Sequence, residues 1–148
     1  MSLYVRLVGP GRPNLMFLHG LFGQGRNWSG IATGLLPQAT SLLADLPDHG
    51  HSPWTSKVGY VEMADAVAHE LTERLGSAAS LTLVGHSMGG KVAMLVALTE
   101  PTLVAKLVVV DISPVVRTTD DFVAYLDAMV ALDLDAIATR GDADALMR

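Results

Sequence analysis

The chain has 148 residues, with 10 Lys and Arg against 15 Asp and Glu, a formal net charge of −5, and no cysteine. An acidic balance without a basic cluster argues against nucleic acid as a partner, and the missing thiols exclude disulfides and thiolate chemistry. Half of the residues are hydrophobic, yet no apolar run reaches the roughly 18 residues of a membrane span. The mean hydropathy of +0.38 predicts a deeply buried sheet, or a core with a part still to be added. Met1 to Val8 has neither the apolar length nor the cleavage pattern of a signal peptide, so a cytoplasmic protein off the membrane is expected.

In chain order, Leu3 to Val8 alternates as a strand does, and the Gly9–Pro13 cluster is a turn. Leu15 to Leu18 is a short continuous apolar run, as expected of a buried strand. It runs into His19-Gly-Leu-Phe-Gly23, a loop by composition. Trp28 to Leu36 has helical spacing and stops at Pro37. Ser41 to Leu46 reads as a strand, followed by the loop Pro47-Asp-His-Gly-His-Ser-Pro53. Tyr60 to Leu75 is the clearest amphipathic helix. Val61, Ala64, Val67, Ala68, Leu71 and Leu75 share a face, and Glu62, Asp65, Glu70 and Glu73 fall mostly off it. Gly76 is placed to cap it.

Leu81 to Val84 is a strand, and a helix rich in Ala, Leu and Met runs on to Pro101. Lys106 to Val110 is a further apolar strand ending at Asp111. Asp121 to Leu132 is helical, and so is Asp135 to Arg148 apart from an interruption near Gly141. Strands alternating with helices, the middle strands apolar on both faces, predict a mostly parallel α/β sheet with helices on both sides. In such sheets function gathers at the carboxyl ends of the strands.

Between the fourth strand and its helix lies Gly85-His-Ser-Met-Gly89, a G-x-S-x-G sequence. There a serine sits on a sharp strand-to-helix turn with its hydroxyl exposed at the edge of the sheet. The glycines allow backbone approaches that a Cβ would oppose. Ser87 is therefore the candidate nucleophile. The N–H of Met88, at the start of the helix, is a candidate donor to an oxyanion. A second donor is needed opposite it, and the loop from His19 to Gly23 offers Leu21 first and Phe22 second. Asp111, 24 residues after Ser87 and at the end of the next strand, is the candidate acid that orients a histidine. The alternative is a loop-capping aspartate, with the acid elsewhere.

His19-Gly…Gly23, Asp45-Leu-Pro-Asp-His-Gly-His-Ser52, Gly85-His-Ser-Met-Gly-Gly90 and Val109-Val-Asp-Ile-Ser-Pro114, in this order, resemble the α/β-hydrolase superfamily. Within it the chain is most similar to small bacterial esterases of the YbfF type and the ABHD11 group. The resemblance covers residues 1–148. It implies an α/β-hydrolase fold with residues 1–114 in the core and 115–148 beginning a helical cap. It also implies a cofactor-free and metal-free serine hydrolase acting on small-molecule carboxylic esters or thioesters. Phe22 and His19 are then expected beside the substrate, and Phe122, Leu126, Met129, Val130 and Leu132 along an acyl cleft.

In this fold the catalytic histidine comes last, after the acid, and no histidine follows His86. His86 is expected to point away and pack, His19 to order its loop by hydrogen bonding, and His69 to lie on a helix surface. His49 and His51, with Asp45 and Asp48, read as a recurring loop rather than a metal site. The last residues stop inside a helical pattern. The sequence is therefore expected to be an N-terminal part of a hydrolase, inactive alone, partnered by its C-terminal remainder or by itself. Two other readings stay open: a C–C lyase or synthase of the MenH-like kind on the same turn, and a non-catalytic binding module.

Overall fold

The computed structural model describes residues 2–76, 80–115 and 120–146. Five strands are formed: β1 (Val5–Val8), β2 (Leu15–Leu18), β3 (Ser41–Ala44), β4 (Leu81–His86) and β5 (Val104–Val110). They make one sheet in the order β1-β3-β2-β4-β5. β1 pairs antiparallel with β3, and the other pairings are parallel. The helices are α1 (Ser29–Gly34), α2 (Tyr60–Leu75), α3 (Met88–Thr99), α4 (Asp120–Val130) and α5 (Arg140–Leu146), with short 3-10 turns at Gly25–Trp28, Pro101–Leu103 and Leu134–Ala136.

The period-2 alternation of strands decides which helix packs where. Met16, Leu18, Leu42 and Ala44 point to one face and bury against Val67 and Leu71 of α2 and Val92 and Val96 of α3. Phe17 and Leu43 point to the other, where Ala32 of α1 and Trp28 meet them. The Phe17 and Trp28 rings lie 4.9 Å apart in a tilted arrangement. Both faces of β2 and β3 are thus covered, which is why Leu15 to Leu18 and Leu42 to Ala44 are apolar throughout.

α2 spans the residues its periodicity predicts, but its buried face is rotated. Met63, Ala66 and Glu70 are buried, and Val61 is exposed. Glu70 goes inward because its charge is engaged there. Oε2 accepts the Leu3 N–H at 3.1 Å, and Oε1 accepts from Arg74 Nε at 2.5 Å. The contact pins the chain before β1 onto α2. β5 differs in another way. It has the apolar run expected of a buried strand, yet Leu107, Val108 and Val110 are exposed. Among the described residues β5 is an edge strand, paired only with β4.

The chain divides into two compact units, Met1–Pro114 and Val115–Arg148. In the second unit Leu126, Met129 and Val130 are exposed, and the side chain of Phe122 lies outside the described residues. Its helical pattern breaks at 137–139 rather than at Gly141, which lies inside α5. Thr139 causes this. It and Asp142 exchange bonds at the start of α5: Asp142 Oδ2 accepts the Thr139 N–H at 2.8 Å, and Thr139 Oγ1 accepts the Asp142 N–H at 3.3 Å. Such a reciprocal cap satisfies two otherwise unpaired donors at a helix start. No helix among the described residues is long and apolar enough to cross a membrane.

Removing the Glu70 carboxylate leaves the Leu3 N–H buried without an acceptor. Glu70→Ala is expected to lower unfolding stability by about 2 kcal/mol, the usual size for a hydrogen bond to a charged group. Urea unfolding of the variant beside the parent measures it.

Candidate active site

Ser87 stands at the junction of β4 and α3 with φ 51° and ψ −116°. A non-glycine residue held there stores about 1–3 kcal/mol of strain, so the surroundings must hold it in place. Its N–H donates to Val110 O of β5 at 3.0 Å, and its carbonyl accepts from Gly90 N–H at 2.9 Å as α3 begins. The flanking glycines permit the fit. A Cβ on Gly85 would stand 2.2 Å from Gly89 O, and one on Gly89 2.5 Å from His19 O. Neither position has room for a side chain, because the first turn of α3 is pressed against the ends of β4 and β2.

The same closeness brings the loop after β2 to Ser87. A Cβ on Gly20 would lie 3.3 Å from Ser87 Cβ. The loop folds as a tight turn, closed by Gly23 N–H donating to Gly20 O at 2.9 Å, with Phe22 at φ 60°. That pattern is a type II turn, in which the third residue takes positive φ. Among the described residues neither the Leu21 N–H nor the Met88 N–H has a protein acceptor. Met88's side chain is buried in the core, whereas Leu21 and Phe22 are exposed, Phe22 by 60%.

A hollow of about 380 Å³ adjoins this turn. Its walls are residues 19–23, Asn27 and Trp28 of the first 3-10 turn, Ile31 of α1, and His86. Trp28, Ile31, Leu21 and Phe22 make much of its lining apolar. His86, expected to pack away, instead lines the hollow and is 42% exposed. Its Nε2 stands 3.8 Å from Asp111 Oδ2. Asp111 has φ 54° at the end of β5, and its side chain is 87% exposed. Ser87, His86 and Asp111 therefore share one edge of the sheet, with the carboxylate open to a further group.

His19 lies beneath the turn and is 1% exposed. Its Nε2 accepts the Leu46 N–H at 3.0 Å, and Nδ1 lies 2.7 Å from Gly20 O. A nitrogen that accepts a backbone N–H carries no proton, so the ring is the neutral Nδ1–H tautomer and donates to Gly20. Burial is the main cause holding its pKa below the ordinary 6.5, and the ring of His49 adds to this. The imidazole thus ties the loop after β2 to the loop after β3. It borders the hollow, but both ring nitrogens are engaged by the backbone.

Asp45 completes this support and was legible only as part of a loop motif. It is buried, with Oδ1 accepting the Gly25 N–H at 2.6 Å and Oδ2 the His51 N–H at 2.8 Å. Asp48 acts within its own loop, where Oδ1 accepts the Thr55 N–H at 2.6 Å. His49 Nδ1 meets Pro47 O at 2.8 Å. The polar groups of the 45–55 stretch are thereby spent on shaping the loop. A carboxylate at the end of a buried strand, just before a loop rich in Pro, Asp and His, is the sequence signal for such a hub.

With this geometry in place, residues 13–135 match the family described as alpha/beta hydrolase fold. The chain belongs to that family. It is similar to the sn-1-specific diacylglycerol lipase ABHD11 of Danio rerio, 41% identical over 137 residues, covering 89% of this chain and 42% of the relative. Esterase YbfF of Escherichia coli is 34% identical over 137 residues, covering 90% of this chain and 52% of the relative. A solved marine microorganism esterase superposes with a TM-score of 0.85 at 31% identity, over 99% of this chain and 57% of that one. The chain thus spans about half, or less, of the length of these relatives. The expected resemblance to the YbfF and ABHD11 group, and the expected α/β-hydrolase fold, both hold.

The neutral His19 gives a pH dependence of defined sign. A histidine whose folded pKa is lowered binds more protons when unfolded, so stability rises with pH there. Its contribution is fully present above the ordinary value of 6.5 and is lost as pH falls from there toward the lowered folded value. Thermal unfolding at pH 7.5 and 5.5 is expected to show a drop in Tm on acidification that is smaller in His19→Gln.

Proposed function

We propose that Ser87 is the nucleophile of a serine hydrolase that cleaves carboxylic esters, or their thioester analogues, through an acyl-enzyme. The observation that carries this reading is the strained Ser87 at the strand-to-helix turn, beside a loop with free N–H groups and an apolar hollow. Ser87 Oγ attacks the acyl carbon while its proton passes to a base. The carbonyl oxygen gains negative charge and is held by the N–H groups of Leu21 and Met88. The tetrahedral intermediate expels the alcohol, which takes the proton from the base. Water then repeats the sequence and frees the acid and Ser87.

Asp111 is the acid that orients the base and stabilises its charged form. The base is a histidine outside residues 1–148, because none of the five histidines present follows Asp111. The exposed carboxylate of Asp111 suits a partner that approaches from outside. The exposed apolar side of β5 and the greater length of the relatives support polypeptide beyond this stretch. Phe22, Trp28 and Ile31 receive the acyl group, since such pockets are mostly apolar. Residues 115–148 begin a helical cap, a reading supported by the separate compactness of that unit. The activities of the relatives, esterase and diacylglycerol lipase, support ester hydrolysis, and the size of the apolar hollow suits small or medium acyl groups.

The 148-residue chain assayed alone on p-nitrophenyl butyrate is expected to turn over on the order of 10⁶-fold more slowly than when a histidine-bearing C-terminal piece is supplied. In the reconstituted enzyme, Ser87→Ala should abolish the recovered rate. Comparable turnover by the chain alone, lost in Ser87→Ala, would force one of the present histidines into the role of base. Recovered turnover that persists in Ser87→Ala would remove the serine from the chemistry.

A further inference from the structure

A second hollow, of about 120 Å³, opens on the other side of the 3-10 turn at Gly25–Trp28. Its lining includes Tyr4, Arg6, Gln24, Arg26, Asp45 and His51. The turn is the wall between the two hollows. Gly23, Asn27 and Trp28 face the first, and Gln24 and Arg26 face the second. A four-residue 3-10 turn rises about 8 Å, so the hollows are neighbours.

The second hollow is rich in donors. Its two guanidiniums carry two positive charges against the single carboxylate of Asp45. Both oxygens of that carboxylate already accept backbone N–H groups, from Gly25 at 2.6 Å and His51 at 2.8 Å. Oδ2 also stands 3.4 Å from His51 Nδ1. The acid therefore serves as a fixed support, and the arginines are left in excess. Arg6 Nη2 donates to Ser29 Oγ, and Ser29 Oγ donates to Arg26 O at 2.5 Å, which fastens Arg6 to the turn that carries Arg26. The Tyr4 and His51 rings lie 4.7 Å apart in a tilted arrangement. Among the described residues, the Arg26 guanidinium and the Tyr4 hydroxyl have no protein partner. The space equals that of about four waters, enough for a tetrahedral oxyanion.

We propose that this hollow is an anion subsite that takes a phosphate group between Arg6 and Arg26. Arginine forks match phosphate oxygens in pairs, and the Tyr4 hydroxyl supplies a further donor. The phosphate is either carried on the alcohol portion of the substrate or bound free. The first form rests on the ester-hydrolase reading, and the second does not.

The test is calorimetric titration of the 148-residue chain with inorganic phosphate at low ionic strength. Saturable binding at one site is expected. Arg26→Gln and Arg6→Gln should each weaken it by about tenfold or more, and Ser87→Ala should leave it unchanged. Circular dichroism melting checks that each variant is folded, and if Arg6→Gln is not, Arg26→Gln decides alone because Arg26 has no structural partner to lose. Absence of saturable binding, or equal binding by folded Arg26→Gln, overturns the subsite. Loss of binding in Ser87→Ala also overturns it, since the anion would then sit at the nucleophile turn.

The source is separated in the Ser87→Ala background, where no turnover intervenes. An acyl ester with a phosphorylated alcohol is compared with a neutral ester of the same acyl group. Tighter binding of the phosphorylated ester, lost on adding Arg26→Gln, assigns the phosphate to the substrate. Equal binding of both esters, with inorganic phosphate still bound, assigns a free anion. Neither arm depends on catalysis, so a failure of the hydrolase reading is visible separately in the turnover assay.

Discussion

The four adjacent parallel strands are each followed by a non-glycine residue with positive φ: Phe22 after β2, Asp48 after β3, Ser87 after β4 and Asp111 after β5. After β2, β3 and β4 the chain has to reverse sharply at this edge to bring the next helix back across the sheet, and Phe22, Asp48 and Ser87 take the turn. Aspartate accepts the left-handed region readily because its side chain bonds locally, as Asp48 does with Thr55. Phe22 and Ser87 have no such help, and for them the cost is about 1–3 kcal/mol each. Burial of Met16, Leu18, Leu42 and Leu83 beneath the edge offsets it, at roughly 1.5–3 kcal/mol for each large side chain. The strain is therefore fixed by the packing of the sheet, and it leaves the groups of the site standing at the edge before any substrate arrives.

Below that edge the loops are joined by polar groups that would be costly without partners. His19 bonds the backbone of two loops, and Asp45 bonds two more segments. Each stands at or just past the end of an otherwise apolar strand, in a place where water does not reach. An unpaired imidazole or carboxylate there would carry the full desolvation penalty. The loops must consequently hold one arrangement, because another would strand a buried polar atom. Apolar packing sets the sheet, and these two side chains set the edge above it.

Much of this was readable from residue pattern. β2 and α2 fall where the apolar run and the 3.6-residue period place them, and Gly85–Gly89 marks a turn whose tightness its glycines explain. Three elements depart from the pattern, each for its own reason. Helical spacing puts Glu70 off the apolar face of α2, yet it is buried with its carboxylate on the Leu3 N–H, a partner 67 residues away. His86 was set inward because it adjoins the serine, yet the edge strand β5 leaves room for it beside Asp111. Gly141 was read as a break, yet Thr139 and Asp142 cap the helix just before it. Periodicity reports which face of an element is apolar. It does not report which distant backbone group will pair with a charge.

The 3-10 turn at Gly25–Trp28 shows how such pairing reaches function. Its first N–H is held by buried Asp45, and Gly25 fits there because a Cβ would stand 2.8 Å from the backbone of Leu43. The turn is thus clamped to the end of β3, with little freedom to shift. Trp28 is anchored from the other side by Phe17. Successive residues of a 3-10 turn project about 120° apart, so Arg26 and Trp28 face different spaces, one polar and one apolar. A single rigid turn therefore sets the shape of the apolar hollow and the position of a guanidinium beside it. A change at Asp45 would disturb both at once, whereas a change at Arg26 alters the charge alone and leaves the apolar wall in place.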